Sequence, residues 1–132
     1  MMKRTPVNPW DWSKQYQFNQ AEILEGVTRQ LVCAGQTSIG ADGAVQHPNE
    51  LRPQITAALD NLEEVLKGAG MSLSNIVHLT IYTTDADGMI ENWDAMADRL
   101  AAANVAPPQT LLGVARLAFP ELMVELEATA AD

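Results

Sequence analysis

Basic residues are scarce in this chain: Lys and Arg total 8 against 17 Asp and Glu, a formal net charge of −9 over 132 residues. Nucleic-acid binding draws on clustered Lys and Arg that neutralise phosphates, and the few basic residues here are scattered, so a nucleic-acid partner is not expected. The same deficit weighs against recruitment to anionic membrane surfaces. A single cysteine, Cys33, excludes an internal disulfide and fits a reducing, cytoplasmic compartment. The only histidines, His47 and His78, fall on different predicted elements without a cysteine cluster, so neither a metal site nor a cofactor is expected. No apolar run approaches the roughly 18 residues of a membrane span, and the first residues lack the pattern of a secretion signal. Hydrophobic residues still make up 47% of the chain, enough for one core. One domain over residues 1–132, with a small molecule as its partner, is the expectation.

Residues 1–20 are polar and irregular but hold Trp10, Trp12, Tyr16 and Phe18, and read as an N-terminal arm whose rings pack on the body of the domain or wall a pocket. Residues 21–27 and 29–39 read as a strand pair, broken at Gly35, where a glycine would let a ligand approach the backbone. Cys33 reads as a small core residue. A helix is predicted from Asn49 to about Ala69, its stripe formed by Leu51, Ile55, Leu59, Leu62, Val65 and Leu66, with Pro53 tolerated in the first turn. Residues 76–83 are rich in β-branched side chains and read as a strand. A second helix is predicted over residues 87–102.

The last quarter of the chain contains two alternating runs, residues 110–117 and 122–130, separated by a connection with Pro120, which read as an antiparallel hairpin. In the second run Leu122, Val124, Leu126 and Ala128 share one face, and Met123, Glu125, Glu127 and Thr129 the other. The order β-β-α-β-α-β-β is an α+β fold: a single sheet with two helices covering one face. The other face then needs a partner.

Val114-Ala115-Arg116-Leu117, followed by a Pro-containing connection and Val124-Glu125-Leu126-Glu127-Ala128, resembles the C-terminal signature of the Rid family (reactive intermediate deaminase, YjgF). Cys33-Ala34-Gly35-Gln36 resembles its S-G-Q motif, Asp60-Asn61-Leu62 its central helix, and Phe18-Asn19-Gln20-Ala21 its P-Y-S-Q-A segment. The resemblance spans residues 18–130. It implies a chorismate-mutase-like trimer with clefts at the subunit interfaces, where imines or enamines are hydrolysed to carbonyl compounds and ammonia.

By the same resemblance Glu125 is the catalytic acid, and Ala34, Gly35 and Leu111 offer backbone groups to substrate. Phe18 takes the place of a pocket tyrosine, whose phenol the neighbouring Tyr16 could supply. The family's deaminases anchor the substrate carboxylate with an arginine in P-x-R-[ST], and this chain has Gln109 there. A neutral amide forfeits a charge-assisted bidentate pair, about 2–4 kcal/mol. Two readings follow: a hydrolase of imines other than the usual 2-imino acids, or a non-catalytic trimer that binds a metabolite or a protein partner. Arg116 is expected to be structural, at a subunit contact.

Overall fold

The computed structural model describes residues 1–132. Its centre is helix α1, Leu51–Gly68, lying on a four-stranded sheet. Ile55, Leu59, Leu62 and Leu66 are fully buried, as their helical spacing requires. Each such side chain contributes about 1.5–3 kcal/mol of burial. Opposite them the sheet supplies Leu79 and Ile81 from strand β4 (Ile76–Thr83), and Val124, Leu126, Ala128 and Ala130 from strand β6 (Val124–Ala131). Helices α2 (Ala86–Glu91) and α3 (Asp94–Ala102) add Met89, Met96 and Leu100 to that core.

The sheet order is β3-β6-β4-β5, with β3 at Gln30–Val32 and β5 at Gln109–Gly113. Strands β3 and β4 run antiparallel to β6, whereas β5 runs parallel to β4. The expected hairpin is therefore not formed. β4, α2, α3 and β5 make a crossover unit, and a helical crossover returns the chain parallel to the strand it left. Strand β4 then lies between β5 and β6, so residues 114–123 travel across the end of the sheet instead of turning tightly.

The α+β class stands, with differences in its parts. Residues 21–27 do not pair with residues 29–39: strand β2 (Ala21–Glu25) pairs antiparallel with β1 (Lys3–Val7), in a separate two-stranded sheet whose first strand lies in what the sequence presented as an irregular arm. Pro6 obscured β1, yet a two-stranded sheet has only edge strands, where proline is tolerated. The second predicted helix is broken into α2 and α3 at Asn92 and Trp93: Gly88 O accepts from both Asn92 N and Asn92 Nδ2, and Trp93 N turns to Ile90 O at 3.3 Å instead of continuing the helical ladder. Asn49 precedes the cap of α1, in a left-handed conformation (φ 60°), and Glu50 occupies the cap itself. Strand β5 ends before Arg116, whose guanidinium donates to Leu117 O and Ala118 O within its own loop.

Candidate functional site

Paired residues on neighbouring strands project to the same face, so the register assigns each candidate a side of the sheet. Glu125 pairs with Tyr82, and Tyr82 with Leu112. Leu79 pairs with Gln109 and with Ala128, and Ile81 with Leu111. Glu125 therefore stands on the open face, away from the helices, while Gln109 and Leu111 project to the helix side. Within one chain the expected acid and the expected anchor do not meet.

On the open face the Glu125 side chain crosses directly over Gly35. Gln36 N donates to Leu126 O at 2.7 Å and Leu126 N returns a bond to Gln36 O at 2.9 Å, which holds the Ala34-Gly35 segment against β6. A Cβ added at Gly35 would stand 2.7 Å from Glu125 Cδ, so the glycine is required for this close approach. Burial, and secondarily the neighbouring Glu127, push the Glu125 carboxyl above the usual carboxylate range. Glu127 is exposed and accepts a hydrogen bond from Tyr82 Oη at 3.0 Å, which raises the phenol's own pKa. The face is mixed: Val32 and Leu112 lie on it among Glu, Thr and Tyr side chains. Cys33 is buried, and burial pushes its thiol up, as befits an inert core residue.

On the helix side Gln109 opens onto a cavity of ≈ 200 Å³ lined by Trp12, Tyr16, Phe18, Ile90, Trp93 and Leu111. The arm folds back to form it. Trp93 Nε1 donates to Tyr16 O at 2.9 Å, Gln109 Nε2 to Gln17 O at 3.0 Å, and Asn19 N to Ala106 O at 2.9 Å. The Trp12 ring meets Phe18 edge-on at 5.7 Å and Tyr16 at 6.5 Å. Gln109 Oε1 is buried with no hydrogen-bond partner. Tyr16, Phe18, Gln109 and Leu111 thus come together, whereas Ala34, Gly35 and Glu125 form a second group. Sequence reasoning named Trp12 among the arm's rings that wall a pocket but missed Ile90 and Trp93, which fall within the predicted second helix; the break at Asn92 turns them to the arm. No three His, Cys, Asp or Glu side chains converge as a metal would require. No helix is long and apolar enough to cross a membrane.

A family profile described as Endoribonuclease L-PSP matches residues 13–132. The crystal structure of YyfB from Yersinia pestis, described as a protein of unknown function of the conserved Rid family, superposes with a TM-score of 0.83 at 32% identity, covering 97% of this chain and 98% of that one. Protein mmf2 of Schizosaccharomyces pombe, named as mitochondrial, is 28% identical over 99% of this chain and 100% of its own length. The RutC family protein YjgH of Escherichia coli is 26% identical over 89% of this chain and 88% of its own.

Proposed function

The chain belongs to the Rid (YjgF) family, and from that premise we propose that it hydrolyses an imine or enamine without an α-carboxylate, in a cleft shared between copies of the chain. The observation that carries this is Gln109. It stands at the family's arginine position, its amide N–H is committed to Gln17 O, and its free oxygen can only accept. No Lys or Arg lines the cavity in front of it. An α-carboxylate brought there would meet an acceptor and no cation.

Glu125 suits the acid-base role. Its carboxyl holds its proton to a higher pH than an ordinary glutamate, which brings it closer to the working range of a proton shuttle. Proton donation from the carboxyl to the imine nitrogen makes the carbon electrophilic. Water then adds, the carboxylate takes up a proton from it, and collapse of the carbinolamine releases ammonia and leaves a carbonyl. The opposite placement of Glu125 and Gln109 favours a site completed by two copies, the open face of one against the cavity edge of the next. The net charge of −9 weighs against an RNA substrate for this member.

Ammonia release from freshly generated neutral imines and 2-imino acids tests the reading. We expect turnover of neutral imines, reduced by about 100-fold or more in Glu125→Gln. A preference for 2-imino acids, or turnover indifferent to Glu125, would contradict it. A second reading, a non-catalytic trimer that binds a metabolite, is favoured by the same separation of Glu125 from the cavity within one chain. Ligand-dependent stabilisation without turnover of any imine would select it.

A further inference from the structure

We propose that the cavity beside Gln109 receives a flat, uncharged, aryl-sized group, and that this group is the non-reacting part of the ligand. The inference deepens the hydrolase reading and rests on it for the site's location, while the ligand class follows from the cavity itself. At ≈ 200 Å³ the space exceeds the roughly 150 Å³ that suffices for benzene in a dry apolar cavity. It leaves room for one ring and a short substituent.

The walls select for flatness. Trp12, Tyr16, Phe18 and Trp93 present ring faces and edges, and aromatic groups gain from offset and edge-to-face contacts beyond the area they bury. Hydrogen bonds from Trp93 to Tyr16 O and from Gln109 to Gln17 O hold two of the walls to the arm, so little ordering is needed when a ligand enters. Trp12 is 54% exposed and Ile90 52%, forming an apolar rim that a bound ring would cover. Charge is selected against from both directions. An anion finds Gln109 Oε1 and no cation. An ammonium would have to shed its water for a wall with no carboxylate. The unpartnered Gln109 Oε1 marks the place for one N–H or O–H donor on the ligand, reached by a small movement of the amide.

Quenching of intrinsic tryptophan fluorescence tests this, since two of the three tryptophans wall the cavity. The probes are benzamide, benzoate and isobutyramide: the same ring with and without charge, and the same amide without a ring. We expect benzamide to bind about tenfold or more tightly than either of the others. Ile90→Phe, which fills the rim without adding an indole, should abolish binding while circular dichroism remains that of the natural protein. Gln109→Arg should reverse the order of benzamide and benzoate. Equal or tighter binding of benzoate by the natural chain overturns the inference, as does benzamide binding that ignores Ile90→Phe. Absence of binding because a second copy fills the cavity also overturns it. Ammonia release from the imine of acetophenone and from an alkyl ketimine, measured in the same samples, separates the two readings. Benzamide binding without hydrolysis of either imine removes the hydrolase and leaves the ligand class standing. Glu125-dependent turnover of the alkyl imine with no aryl binding does the reverse.

Discussion

Glu125 keeps its carboxylate against two resistances, partial burial beside Gly35 and the charge of Glu127 on the same strand face. A carboxyl whose folded pKa lies above its ordinary value of 4.5 binds its proton more tightly in the folded chain. The folded state therefore has that group's full contribution below about pH 4.5 and loses it as pH rises through the raised value. Gln mimics the protonated form. Thermal melts of Glu125→Gln and the natural protein should accordingly differ little at pH 4, with the variant gaining on the natural protein by pH 7. A gap that moved against the variant as pH rises would mean that the fold prefers the anion, and the acid-base role would lose its physical basis. The alternation of residues 122–130 made the shared face of Glu125 and Glu127 legible, and burial of Val124, Leu126 and Ala128 on the other face agrees with it. The contact with Gly35 and the bond from Tyr82 were not legible, because both depend on which strand lies alongside and in what register. The side of the sheet that Gln109 faces was not legible for the same reason: its own strand shows its alternation but not that β5 runs parallel to β4 with Gln109 opposite Leu79.

At the scale of elements, α1 was the part most readable from sequence, since a stripe at helical spacing is a local property of the chain. One residue in that stripe is polar. Gln54, three positions after Leu51, is fully buried and acts as a clamp: Nε2 donates to His47 O at 2.9 Å and to Glu121 O at 2.8 Å, and Oε1 accepts from Met123 N at 2.8 Å. It ties the first turn of α1 to the connection that delivers Glu125. A glutamine inside an apolar stripe was the available signal, and its partners, nearly seventy residues away for Met123, were not. Gln54→Leu preserves size and helix propensity but leaves Met123 N without its acceptor, while His47 O and Glu121 O keep their bonds from Glu50 N and Asn49 N. We expect a loss of about 1–3 kcal/mol in urea unfolding, the cost of one unpaired backbone N–H. A loss below about 1 kcal/mol would show that water or a local shift satisfies that group. Tertiary contacts also explain the two missed elements, β1 and the break between α2 and α3. Arg4 in β1 is held by Glu22 through two bonds of 2.8 and 2.7 Å, and Trp93 at the break is held by the arm.

For the whole molecule, the outstanding question is what covers the open face of the sheet. Val32 is 75% exposed there and Leu112 44%, flanking the row that contains Glu125 and Tyr82. Exposed apolar side chains on an otherwise regular sheet ask for a partner. The sequence pattern carries that need and no further; the number three comes from the Rid family. We expect light scattering at micromolar concentration to give about three times the 14.3 kDa of one chain. Leu112→Glu would set a third carboxylate on the face to be buried, across Tyr82 from Glu125, where an unpaired charge cannot be solvated. That variant should dissociate to folded monomers, with the far-UV circular dichroism of the natural protein and without imine turnover, because Glu125 of one copy would no longer meet the Gln109 cavity of another. If the natural chain is a folded monomer that still turns over imines, the shared cleft is wrong and Glu125 must work with the open face alone. If Leu112→Glu remains a trimer with full activity, the interface lies elsewhere, and the exposed edge of the β1-β2 pair, where Ile23 is 53% exposed, becomes the surface to alter next.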